Sequence, residues 1–177
     1  MAAERYLWLC AVLVSAVAGW TDWRSRRIPN WLTVPCLGLG LVANTTLLGW
    51  QGSREYLAGA ALALTVLFPL VWIRALGAGD WKLMGALGGI LGPLHIALVI
   101  GATILISGIM AMIQLSCQKR WLAALTNLLE LVRGFLVFGL KEHPRISLDN
   151  PAMPSLPFGV AAALATILCA WGIRVSF

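Results

Sequence analysis

Gly77-Ala78-Gly79-Asp80-Trp81-Lys82 runs straight into Leu83-Met84-Gly85-Ala86-Leu87-Gly88-Gly89-Ile90-Leu91-Gly92, and Pro93 follows. One acid and one base stand at the mouth of an uncharged apolar run. The glycines of that run leave few side chains to hold neighbouring helices apart. Pro93 has no amide hydrogen to continue a helix and marks a turn into the next apolar stretch.

Moving outward from this stretch, hydropathy predicts spans over 6–21, 31–49, 57–76, 82–93, 94–113 and 154–174, the fourth being short. With 60% hydrophobic and only 11% charged residues, the 177-residue chain lacks the polar surface of a soluble domain. The expected fold is an all-α integral membrane protein of about six transmembrane helices, forming one polytopic domain over 1–177. No small-residue cleavage site follows the first apolar run, so it reads as a span and not as a signal peptide.

The net charge of +6 comes from 13 bases against seven acids. If the N-terminus lies outside, the linkers 22–30, 77–82 and 114–153 fall inside, and only Arg5, Arg54 and Arg174 fall outside. The positive-inside rule favours this orientation. Loops this short cannot build the basic, aromatic-bearing face that nucleic-acid binding needs. Within the last linker, the apolar residues of 121–140 recur at helical spacing, with Thr126, Asn127, Glu130 and Arg133 opposite. That pattern predicts an amphipathic helix lying on the inner surface.

A second block, Thr21-Asp22-Trp23-Arg24-Ser25-Arg26-Arg27-Ile28-Pro29-Asn30, repeats the order Asp, Trp, base at the edge of a span. The predicted topology brings Asp22 and Asp80 to the same membrane face, where they can meet. Two close carboxylates resist ionising together, so one keeps a proton while the other acts as base towards water. That is the chemistry of an aspartic protease. Trp23 and Trp81 suit headgroup depth, and Arg24 and Lys82 can reach lipid phosphate or act on the carboxylates. Gly77 and Gly79 clear space beside Asp80, while Pro29 suits the start of the second helix beside Asn30. Taken singly, each aspartate also reads as an interfacial anchor or helix cap.

Asp22-x-Arg24-x-x-x-Ile28-Pro29-Asn30 followed by Gly77-x-Gly79-Asp80-x-Lys82 resembles the type IV prepilin peptidases. These share the G-x-G-D block with archaeal preflagellin peptidases and presenilin-like intramembrane proteases. Pro157-Phe158-Gly159 resembles the Pro-aromatic-Gly element of the same family. The resemblance implies that Asp22 and Asp80 are the catalytic pair of an aspartyl endopeptidase in a bacterial inner membrane. It would cleave the short basic leader from a prepilin or pseudopilin on the cytosolic side. Arg24, Pro29, Asn30, Gly77, Gly79, Lys82, Pro157 and Gly159 would then support the pair or position the substrate. Long bifunctional members carry a cytosolic insertion with paired C-x-x-C motifs linked to N-methylation. Nothing here corresponds to it, and the short enzymes of tight-adherence (Flp) pili are the nearer likeness.

The rival readings are a small proton- or ion-coupled carrier using the same aspartates and a non-catalytic subunit of a secretion machine. Carriers place such groups near the bilayer midplane on interrupted helices, whereas both aspartates here fall at span ends. Neither a G-x-S-x-G nor an H-E-x-x-H motif is present, and His95 and His143 read as structural. Cys10, Cys36, Cys117 and Cys169 are scattered and read as packing residues, and no metal or cofactor is called for. The bases of the 114–153 linker would repel a basic leader, so leader recognition is expected to use Glu130, Glu142 or Asp149, or anionic membrane lipid.

Overall fold

The computed structural model describes residues 2–118 and 157–175, and all regular structure there is helical. Four helices follow in order: α1 (Ala2–Ser25), α2 (Asn30–Trp72), α3 (Ala78–Gln118) and α4 (Phe158–Val175). The first three are long and apolar enough to cross a membrane, and α4 is a shorter apolar helix. The surface helix expected over 121–140, with Glu130, Glu142, His143 and Asp149, lies outside the described residues.

Two glycines divide the long helices. Gly49 in α2 has φ 64 and ψ −147, and Gly92 in α3 has φ 79 and ψ 171. Positive φ is open to glycine and strained for residues with a Cβ, so one residue can redirect the chain. Across Gly49 the two arms of α2 fold back on one another. The Tyr56 hydroxyl donates to the Leu37 carbonyl at 2.6 Å, and Thr45 and Ser53 share a hydroxyl bond at 2.8 Å. In a straight helix Leu37 and Tyr56 would stand roughly 28 Å apart. Hydropathy leaves 50–56 between two predicted spans, but the helix resumes directly after Gly49 because that residue makes the reversal alone. Pro93 follows Gly92, so the second break sits where the sequence predicted it.

Small residues hold the bundle together. A Cβ at Gly59 of α2 would land on the Gly88 carbonyl of α3, and one at Gly85 would meet Leu64 at 2.8 Å. The backbones of α2 and α3 therefore approach closely, as expected of a glycine-dense span. On the other side, Gly19 of α1 faces Ala163 and Gly159 of α4. Leu83, Met84, Leu87, Ile96 and Val99 of α3 are fully buried between these pairs. Buried Ser15, Thr103 and Thr166 satisfy their hydroxyls on carbonyls of their own helices, and the Asn44 amide donates to Gly40 and Gly89.

Large apolar side chains face outward, among them Leu94, Leu105 and Trp171. Water would not tolerate such a surface over a whole bundle, whereas lipid would. Tyr56→Phe removes the hydroxyl that ties the arms of α2 and is expected to lower stability by about 1 kcal/mol. Thermal unfolding in detergent, followed by circular dichroism, measures it.

Candidate active site

The last turn of α1 carries Asp22, whose carbonyl accepts the Arg26 N–H at 2.8 Å. Arg26 has φ 53, a left-handed turn that ends the helix and leads into buried Ile28 and then Pro29. Pro29, at φ −75 and ψ 143, caps α2 with its carbonyl, which accepts the N–H groups of Leu32 and Thr33. The end of α2 is built in the same way: Arg74 has φ 55, and the Ala75 and Leu76 N–H groups both turn back to the Leu70 carbonyl.

Asp80 occupies the first turn of α3, where its carboxylate accepts the Gly77 N–H. This is one half of a capping box, in which a side chain three residues inside a helix satisfies the orphan donor at its start. Gly77 has no side chain because a Cβ there would stand 2.9 Å from Asp80 Oδ2. A Cβ at Gly79 would press on the Ile28 carbonyl at 3.0 Å. The loop from α1 therefore lies directly on the start of α3, which brings the two blocks together. Lys82 Nζ secures the same junction by donating to Asn30 Oδ1 at 3.0 Å.

Asp22, Asp80, Arg26, Arg27 and Ile28 line one cleft of about 230 Å³, with Gly77, Ala78 and Gly79 forming the rest of its wall. Asp22 is 6% exposed and Asp80 half-buried. The two carboxylates act on each other electrostatically, and the Arg26 guanidinium acts on Asp22. From the opposite side, the Gly159 N–H at the start of α4 donates to Asp22 Oδ2 at 2.8 Å. A Cβ at Gly159 would lie 2.9 Å from Asp22 Cβ. Pro157 is buried just before α4, and its carbonyl accepts the Val160 and Ala161 N–H groups. Gly159→Ala is expected to displace Asp22 and lower stability by about 1–2 kcal/mol. Thermal unfolding in detergent, set beside Gly172→Ala, whose Cβ meets nothing within 4 Å, measures the difference.

Of the residues singled out in the sequence, Asp22, Asp80, Gly77 and Gly79 share the cleft, and Gly159 touches Asp22. Asn30 and Lys82 pair with each other beside it, while Arg24 is exposed and does not line it. Arg26, Arg27 and Ile28 do line it and were not singled out, although they stand inside the quoted block. Trp23 is exposed, as a headgroup residue would be. Trp81 departs from that reading: its indole N–H donates to the Leu64 carbonyl at 2.8 Å, and its ring lies 6.3 Å from Phe68. Among the described residues no group of three or more His, Cys, Asp or Glu gathers as a metal site.

Two curated relatives are similar to parts of this chain. A protein of Xanthomonas campestris pv. campestris named prepilin leader peptidase/N-methyltransferase is 32% identical over 96 residues, which cover 47% of this chain and 33% of the relative. One of the same name in Escherichia coli K12 is 34% identical over 90 residues, covering 47% of this chain and 38% of the relative. The chain thus matches only 33% and 38% of the length of these relatives. No solved structure gives a significant match. Both aspartates fall within residues 8–112, which match the type IV leader peptidase family over more than half of the chain, and the chain therefore belongs to that family.

Proposed function

We propose that this chain is a membrane aspartyl endopeptidase that removes the short basic leader of type IV prepilins or prepilin-like proteins at the cytosolic face of a bacterial inner membrane. One observation carries the reading: Asp22 and Asp80, supplied by two different helices, line a single cleft in a chain of the leader peptidase family. The pair shares one proton. The ionised carboxylate takes a proton from water, and the water oxygen attacks the scissile carbonyl carbon. The protonated partner donates a hydrogen bond to the developing oxyanion. As the tetrahedral species collapses, the C–N bond breaks and a proton passes to the leaving amine.

Six crossings complete this reading. At 1.5 Å per residue, the arms of α2 measure roughly 28 and 34 Å, close to the hydrocarbon thickness of about 30 Å. The first arm of α3 is shorter, roughly 21 Å. α1, both arms of α2, both arms of α3 and α4 would each cross once, with the cleft at the end rich in Arg24, Arg26, Arg27, Arg74 and Lys82. Lipid phosphate and the cytosol lie at that end under the positive-inside rule. The aspartates belong to the first and last turns of their helices, next to loops, which favours the peptidase over a carrier with midplane ligands. The proposal is limited to the peptidase step, since the sequence has no paired C-x-x-C motifs.

The test is to mix membranes containing this chain with a candidate prepilin and follow the gel shift, then sequence the new amino terminus. A shorter product beginning at the hydrophobic helix is expected. No cleavage of any prepilin or pseudopilin encoded beside the chain, from well-folded membranes, would overturn the reading.

A further inference from the structure

The surroundings of the two aspartates differ: Asp22 has the Gly159 N–H and the Arg26 guanidinium, and Asp80 has the Gly77 N–H. Arg26 has φ 53, in the left-handed region where a side chain with a Cβ is strained and glycine is the usual choice at a helix end. Arg74 ends α2 by the same turn away from the cleft, so the turn is a helix stop, and what distinguishes Arg26 is where it places the side chain. Here the turn carries Arg26 off α1 and onto the cleft wall with both aspartates, whereas Arg24 stays on the helix and away from that wall.

We infer that Arg26 is a positioning residue that holds Asp22 as the member of the pair taking the proton from water and leaves the shared proton on Asp80. This rests on the peptidase reading. Burial works first against ionising either aspartate; at Asp22 the Gly159 N–H at 2.8 Å from the start of α4 and the Arg26 guanidinium oppose it. Donors and positive charge of this kind favour a carboxylate over a carboxylic acid. Asp80 has the Gly77 N–H and faces the Asp22 carboxylate, a like charge. The charged groups around Asp22 among the described cleft residues are Asp80 from α3 and Arg26 and Arg27 from the loop. The start of α4, Phe158-Gly159-Val160, brings only backbone donors.

The strained turn supplies an unusually clean test. Glycine fits φ 53 better than arginine, so Arg26→Gly is expected to unfold at the same temperature or a higher one. The acid limb of its pH–rate profile for leader removal is expected to move up by about one unit, which lowers kcat on that limb about tenfold. The sign follows from the roles: without the positive charge, Asp22 holds its proton to higher pH and the base is lost earlier as pH falls. Arg26→Lys restores the charge and should return the limb towards that of the unaltered chain. An unchanged pH profile in Arg26→Gly would overturn the inference, and so would a loss confined to KM, which would make Arg26 a substrate contact. If Arg26→Gly fails to fold, Arg26→Asn, which also tolerates this backbone, gives the same readout. Absence of cleavage by the unaltered chain would instead count against the peptidase reading itself.

Discussion

Asp22→Asn and Asp80→Asn are each expected to reduce leader removal by about a thousandfold, with the helices intact. Asparagine keeps the volume of aspartate and one acceptor oxygen. In Asp22→Asn that oxygen still receives the Gly159 N–H, and in Asp80→Asn it still receives the Gly77 N–H. What is lost is proton exchange at a carboxylate. Because the two groups act as a unit, the double variant should be little slower than either single one. Initial rates of prepilin cleavage, with circular dichroism to verify folding, decide this. Full processing by either folded variant would remove that residue from the chemistry, and two independent losses that multiplied would argue against a shared proton.

Gly59→Leu is expected to have a large structural effect on the bundle. Its Cβ would fall on the Gly88 carbonyl and 2.8 Å from the backbone carbon of Gly92. Backbone atoms cannot swing away as the tip of a side chain can, so α2 and α3 must separate. That separation would open the buried layer of Leu67, Leu83 and Leu87. A loss of about 3 kcal/mol or more is expected, at the upper end of overpacking costs. Gly101→Leu makes the contrast, because nothing lies within 4 Å of the Cβ position there. It should change stability by no more than about 0.5 kcal/mol. Denaturation in mixed detergent micelles compares the two. The Gly59 variant should also lose peptidase activity, since the first turn of α3 that carries Asp80 depends on this crossing.

Much of the molecule could be read before any coordinates. Apolar runs of about 20 residues imply helices that cross a membrane, because a helix satisfies the backbone polar groups within its own segment. The break at Gly92 was legible because Pro93 announces it in the sequence. The break at Gly49 was read as a loop of several residues, since nothing local distinguishes a one-residue reversal from a short linker. The predicted topology puts both Asp-Trp-base blocks on one face, where they can meet, and both aspartates line one cleft.

Side-chain direction was the harder matter. Arg24 and Arg26 stand two positions apart in the same basic run, and composition treats them alike. Both are exposed, and the left-handed turn at Arg26 decides that one lines the cleft and the other does not. Trp81 looked like a headgroup anchor, but the proximity of α2 gives its indole N–H a carbonyl at Leu64. Sequence alone determined that this chain is apolar, with runs long enough for membrane-crossing helices and one aspartate at the edge of each of two such runs, because these depend on local composition. Tertiary structure decided which arginine faces Asp22, and that the Gly159 backbone holds it from a helix 137 residues away in the chain. Those contacts depend on the angle at which helices cross and on a single backbone torsion, neither of which leaves a mark in the order of residues.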